Sequence, residues 1–436
     1  MNNSLFRQID NSALILFRML FGFLFACEAF GAVLTGWVKH NFLLPEFTFS
    51  FIGFEWLQPL PGYGMYGYYF AMGMLSIAVM LGYRYRWSVG LLTLLWSGTY
   101  FMQKTSYNNH YYLLMLVGLI LFFLPANRYA SLDVKQKRVV EQLSMPSWCA
   151  FVMIFQMAIV YFFATLAKFY PDWLDGTYTR ILFFNIAENS WINVVFRQHW
   201  FSLFIAYAGI AFDGLIVPML LWKRTRTLAV VAALFFHLFN SVFLKIGIFP
   251  YFALSFALFF YPPETIRALF FKNKPVFNTE NALLLNQGRK IVYLFFIPYF
   301  ILQFLLPLRH WFIKGDVLWT EEGHRLSWRM MLRERSGTLH FRILDKKNKT
   351  LISDSFEEHL THIQWSEMAT KPDMIWQTAQ RIKEYYFSKG IEVAVFADCS
   401  VSVNRKPSKQ LIDPNVDLAS VKWDWFSHSS WVLLYR

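Results

Sequence analysis

Lys168 is the side chain in this sequence with the most pointed chemistry. It lies in Tyr161 to Gly176, YFFATLAKFYPDWLDG, a hydrophobic run that carries one lysine and then leaves the apolar stretch through Pro171, Asp172 and Trp173. An ammonium at bilayer depth costs about 2.5–3.5 kcal/mol unless it is neutralised, paired or wetted, which makes it a functional candidate. The plainer alternative is a lysine that snorkels to the headgroups past interfacial anchors at Tyr170 and Trp173. Two further stretches carry polar groups in apolar surroundings. KTSYNNH, residues 104–110, supplies Tyr107, Asn108, Asn109 and His110; FFHLFNS supplies His237 and Asn240, three apart and so on one helical face. Each has a structural alternative: an asparagine N-cap for the following helix, and an interhelical hydrogen bond from His237. Asp213, in AGIAFDGLIVP, is expected to pair with an Arg or His on another helix, and Arg18 and Glu28 with charged partners elsewhere.

These residues need membrane helices to hold them. The 436 residues are 56% hydrophobic, 20% aromatic and 16% charged, and spanning-length apolar runs recur through residues 1–308, which excludes an ordinary soluble globule. Nine spans are predicted near 12–34, 65–82, 88–103, 110–125, 148–168, 202–222, 227–244, 248–262 and 290–308. The first shows no obvious small-residue cleavage site and is expected to stay as a span. With the N-terminus inside, the inner loops hold fifteen Lys or Arg and the outer loops before the last span only five: Lys39, Lys104, Arg180, Arg197 and Lys245. The bias predicts the C-terminus outside. It also explains the net charge of +13 as topology rather than a nucleic-acid surface. The KTSYNNH stretch, Lys168 and the His237–Asn240 pair then share the outer membrane level, as a pocket between helices requires.

The expected architecture is a mainly α membrane protein: a polytopic domain over 1–308 and a small extracytoplasmic α/β domain over 309–436. In the latter, Leu326–Arg333 and Thr338–Leu344 read as strands joined at Ser336–Gly337, a helix runs from about Met374 to Phe387, and Ile391–Val403 returns as strand, with alternation in Val393, Val395 and Ala397. No nucleophile elbow, P-loop, dinucleotide fingerprint or zinc motif occurs, and Cys27, Cys149 and Cys399 outline neither a disulfide framework nor a metal site. That narrows the chain to chemistry on a lipid-soluble or membrane-presented substrate, or to none.

Five collinear blocks, KTSYNNHYYL (104–113), FFATLAKFYPDWLDG (162–176), FFHLFNSVFLKIGIFPY (235–251), LSWRMM (326–331) and LIDPNVDLASVKW (411–423), resemble those of the vitamin K-dependent gamma-glutamyl carboxylase and the bacterial and animal proteins sharing its membrane domain. The similarity covers nearly the whole chain. It implies that Lys168 is the weak base that starts the reaction, and that Asn108, Asn109, His110 and His237 match residues of the family's site. In that family a reduced naphthoquinone, first deprotonated by the lysine, reacts with O2 to give an alkoxide that takes the glutamate γ-proton. The carbanion captures CO2 and the quinone leaves as its epoxide. No side chain is basic enough for that proton directly, which is why a stronger base is made on the spot.

On this reading Lys168, His110 and Asn109 are the expected catalytic set, with Tyr107, Asn108, His237, Asn240 and Trp173 around the quinone or substrate, all facing one oily chamber near the outer surface. The implied partners are the lipid bilayer, reduced vitamin K or menaquinol, and an exported peptide carrying glutamate. No metal and no nucleic acid are expected. The chain lacks the animal enzyme's C-terminal extension and the disulfide joining its two parts, which points to a bacterial member in the inner membrane. Quinol epoxidation without carboxylation, and a non-enzymatic scaffold or transporter, stay open as alternatives.

Overall fold

The computed structural model describes residues 5–184, 193–244, 246–277, 288–352 and 356–435. Lys245 lies outside them. Nine apolar helical elements appear where apolar runs were predicted: α1 Ser12–Leu34, α2 Gly64–Leu81, α3 Tyr85–Met102, α4 Asn109–Phe123, α5 Trp148–Leu166, α6 His199–Leu221, α7 Arg226–Leu244, α8 Phe249–Ser255 running on as a 3-10 turn to Phe260, and α9 Ile297–Leu308, which a π turn precedes. Five of these, and α9 together with the helical turns on either side of it (Arg289–Trp311), are long and apolar enough to cross a bilayer. Asn109–Phe123 and Phe249–Phe259 are shorter, and α3 is diluted by Arg86, Ser88, Thr93, Ser97 and Thr99. The helices turn large apolar side chains outward: Phe204, Phe235 and Leu294 are 60%, 75% and 77% exposed. An apolar girdle of that kind is stable against lipid and not against water.

Close helix contact is set by small residues. A Cβ on Gly22 would lie 2.6 Å from the Ser76 carbonyl oxygen of α2, so only glycine lets α1 and α2 approach this closely. Two charges on α1 differ from expectation. Arg18 is fully buried but donates to the Ala126 and Ala130 carbonyls, at 3.2 and 2.8 Å, in the turn after α4. Glu28 accepts a hydrogen bond of 2.8 Å from the Tyr111 hydroxyl. Neither has an ion-pair partner among the described residues; backbone carbonyls and a tyrosine hydroxyl meet them instead, and Arg18 Nε stays without a partner.

Beyond α9 comes a small sheet packed on helices. Strand β1, Gln8–Asp10, pairs with β2, Ser144–Pro146, near the start of α1 and α5. The main sheet has the order β4-β3-β5-β6, with β3 Arg335–Asp345 antiparallel to β5 Val393–Val403 in the register Arg335↔Val403 to Asp345↔Val393, and short β4 Leu351–Ile352 and β6 Lys409–Gln410 at the edges. Val393, Val395, Ala397, Cys399 and Val401 alternate inward against Met374, Ile375 and Ile382 of helix Pro372–Ser388, as the period-two pattern predicts.

One predicted strand is absent. Leu326–Arg333 is irregular, with Leu326, Trp328 and Met331 at φ 61, 56 and 49°. Those left-handed residues break any ladder. The segment instead folds back onto the membrane helices, burying Trp328 beside Tyr112. Ser336–Gly337, predicted as the turn, lies inside β3.

Candidate functional site

Helix α5 sets the centre of the site. Tyr161, Ala164 and Thr165 recur at helical spacing and so share the face that meets α6, and Lys168, in the turn that directly follows α5, continues that face. There Lys168 Nζ lies 2.5 Å from Asp213 Oδ2 and donates to the Ala164 carbonyl at 3.1 Å. Both side chains are about nine-tenths buried. Asp213 thus has the charged partner it needs, and that partner is the lysine rather than an Arg or His. The pair needs 45 residues of chain to close, so no local pattern announces it.

Trp173 corrects the other half of the snorkelling alternative. It is buried, its indole N–H donates to the Ala206 carbonyl of α6 at 2.9 Å, and Lys168 Nζ sits 5.2 Å from the ring centroid. Tryptophan is here a cation–π wall against the amine, not a headgroup anchor.

Two turns back along α5, the Tyr161 hydroxyl meets His237 Nε2 of α7 at 3.3 Å. His237 is buried, and its Nδ1 has no hydrogen-bond partner among the described residues. Below this pair opens an apolar cavity of about 230 Å³, lined among others by Met157, Ile216, Ala233 and Phe256. Asn240, three residues on, has no hydrogen-bond partner among the described residues, so His237 and Asn240 do not act as one polar unit.

His110 begins α4 and stacks on Phe249 of α8, with ring centroids 3.7 Å apart. The same Phe249 meets His237 edge-on at 6.1 Å. The two imidazoles therefore bracket one phenylalanine. The three groups do not line one open chamber among the described residues: Phe249 lies between His110 and His237, and Lys168 lines neither the cavity at His237 nor the one at His110.

The neighbouring asparagines divide their work. Asn108 is the N-cap of α4, accepting from the Tyr111 amide at 2.7 Å. Asn109 is buried, accepts from the Tyr107 hydroxyl at 2.9 Å and donates to the Arg329 carbonyl at 3.1 Å. Tyr107 in turn accepts from the Leu326 amide at 2.7 Å. The polar start of α4 thus holds the irregular 326–333 segment in place.

Above it lies a cavity of about 500 Å³ between membrane helices and sheet, lined by Tyr107, Asn108, Asn109 and His110 on one side and by arginines of the 325–335 segment on the other. Burial, reinforced by Arg333, pulls the Arg329 guanidinium down to about 10. A second cavity of about 670 Å³, between the end of α5 and His310, shares Arg329 as a wall. Sequence reasoning passed over Tyr161 and Arg329. Tyr161 had a signal, seven residues from Lys168 and so on the same helical face.

The two parts of the chain are tied by charge. Lys104 and Arg325 both reach Asp373 Oδ2, at 2.6 and 2.5 Å, and all three are largely buried. Asp172 accepts from Asn404 at 2.8 Å and from Lys406 at 2.7 Å. Burial alone would raise the Asp373 carboxyl, but Arg325 and Lys104 outweigh it and hold the group well below the usual carboxylate range. A carboxyl depressed in the fold contributes stability above its unfolded pKa of about 3.9, and that stability fades as pH falls further towards the native value. Thermal melting of the solubilised protein should therefore show a constant contribution from this group, with no pH dependence, between about pH 5 and 7 and an acid loss below about 4. Asp373→Asn should lower the melting temperature at neutral pH and shrink that acid loss; an unchanged acid limb would remove Asp373 from the account.

Among the described residues no cluster of His, Cys, Asp or Glu gathers to hold a metal ion. A family model described as the HTTM domain matches residues 6–264, and one described as the vitamin K-dependent gamma-carboxylase lumenal domain matches residues 288–436. The chain belongs to the vitamin K-dependent gamma-carboxylase family. No solved structure matches it. Membership of this family, whose enzymes use reduced vitamin K, implies an enzyme, and with the apolar helices it suggests a multi-pass membrane protein.

Proposed function

We propose that the protein couples oxidation of a reduced naphthoquinone to carboxylation of glutamate side chains on an exported peptide. The observation that carries this reading is the buried Lys168–Asp213 pair, 2.5 Å apart, on the same face of α5 as the Tyr161–His237 contact. An amine and a carboxyl in contact share one proton between them. When the proton sits on Asp213, Lys168 is a free amine with a lone pair, able to accept the quinol hydroxyl proton. The apolar helices around it keep water from the stronger base formed next.

Passing from quinol to quinone epoxide gives up four electrons, two from the hydroquinone and two from the ring double bond that takes the oxygen. O2 is reduced, one oxygen atom ending in the epoxide and the other in water. The glutamyl γ-carbon loses its proton and forms a new carbon–carbon bond to CO2. The cavity below Tyr161 and His237 suits an isoprenoid quinone: apolar walls with a polar end, and a histidine nitrogen still seeking a partner. His110 and Asn109 would steady negative charge between that end and the outer cavity. We also propose that all nine segments cross the bilayer, with the N-terminus inside, residues 309–436 outside and the peptide docking on that outer domain.

Quinol oxidation without carboxylation would use the same α5 face and leave the outer cavity idle. Purified protein in lipid, given reduced vitamin K and labelled bicarbonate, separates the two. Epoxide plus label in a glutamate peptide supports the full reaction. Epoxide with no label above a Lys168→Ala control supports oxidation alone, and neither product rejects both.

A further inference from the structure

The outer cavity holds a cation that has no ion pair among the described residues, Asp316 and Glu321 acting on it only from a distance. Glu321 is taken by Arg333 and Arg335, Glu367 by Lys371, and Asp373 by Arg325 and Lys104. Arg329 has no carboxylate within ion-pair distance among the described residues, although only 8% of its surface is exposed. A buried, unpaired guanidinium is expensive, so a fold that keeps one has an anion to put there.

The hydrogen bonds show which edge is free. His310 Nδ1 lies 2.7 Å from the Pro307 carbonyl and must carry its proton there, so its Nε2 is an acceptor, and Arg329 Nη1 donates to it at 3.4 Å. Arg329 Nε has no partner, and none is found for Nη2 among the described residues. The Nε–Nη2 edge is the side-on fork that takes a carboxylate through two parallel hydrogen bonds.

We propose that Arg329 seats the side-chain carboxylate of a glutamyl residue carried on a peptide outside the membrane. This rests on the carboxylation reading and adds the residue that selects the substrate. The surroundings favour a peptide over a lipid headgroup. The cavity is walled by Ser336, Ser366 and Thr370 of the sheet domain as well as by Met330 and Met331, and it reaches Asn109 and His110 directly. The backbone that carries Arg329 is itself held by Asn109, so the seat and the proposed charge-steadying group move as one unit.

The test is equilibrium binding to the full chain in neutral-lipid nanodiscs, using a short peptide with one glutamate and its glutamine isostere. Wild type should prefer the glutamate peptide by about 10- to 100-fold, as expected for a charge-assisted pair. Arg329→Gln should reduce the preference to about twofold or less, and Arg329→Lys, a point charge without the fork, should fall between. Lys168→Ala should keep the preference while losing quinol turnover. An equal preference in wild type and Arg329→Gln overturns the seat, as does the absence of any preference in wild type. So does a preference that disappears in anionic-lipid nanodiscs, since a lipid phosphate would then hold the site. A preference intact in a protein with no quinol turnover would reject the proposed function and leave the seat standing.

Discussion

Replacing Lys168 with arginine is expected to lower quinol turnover as far as replacement with alanine does, by about 10²- to 10⁴-fold, the usual contribution of a positioned base. The comparison works because arginine can keep the buried pairing with Asp213 but cannot be deprotonated in a protein. A purely structural ion pair would be rescued by arginine. A proton acceptor would not. Turnover is read as epoxide formed per folded protein, so that any loss of stability in the alanine variant does not count as lost chemistry. Activity in Lys168→Arg within a few-fold of wild type, on a scale where a base is worth at least about 10², would return Lys168 to a structural role.

The second large effect is on stability. Asp213→Ala leaves the Lys168 ammonium in apolar surroundings with only the Ala164 carbonyl and the Trp173 ring for company. Breaking a buried pair from one side typically costs about 3–5 kcal/mol. Removing both charges together, as in Lys168→Met with Asp213→Leu, should restore most of that, because matched apolar side chains replace a buried pair at little cost. The double variant should be stable and inactive. Thermal melting in detergent reads the effect. Equal destabilisation by the single and double changes would mean that the 2.5 Å contact is not the interaction that matters.

Much of this was legible in the sequence, for reasons that differ residue by residue. Spanning-length apolar runs reveal themselves because every backbone group in a bilayer must be satisfied locally, so the helices appeared where hydropathy put them. Asn108 was readable as a cap because capping is a contact between neighbours in the chain. Val393, Val395 and Ala397 were readable as one face of a strand.

What failed was long-range or conformational. Leu326, Trp328, Met330 and Leu332 alternate as a strand would, yet left-handed residues at 326, 328 and 331 make the segment a strap over the membrane helices. Tertiary contacts to Tyr107 and Asn109 decide that conformation. Asp213 looked like a structural acid because its partner lies on another helix, and Trp173 looked interfacial because aromatic residues near a span's end usually are. Arg329 drew no notice, since nothing in its neighbours says that Glu321 and Asp373 are already held by other cations.

The central claim is that reduced quinone reacts on the face of α5 that carries Tyr161 and Lys168, against α6 and α7. A structure of the protein with a reduced naphthoquinone bound, solved without oxygen, tests it most directly. The ring should lie among α5, α6 and α7, with its oxygens within hydrogen-bond reach of Lys168 and of the Tyr161–His237 pair. A ring held elsewhere, with Lys168 still closed on Asp213 and out of reach of the quinol oxygens, would contradict it.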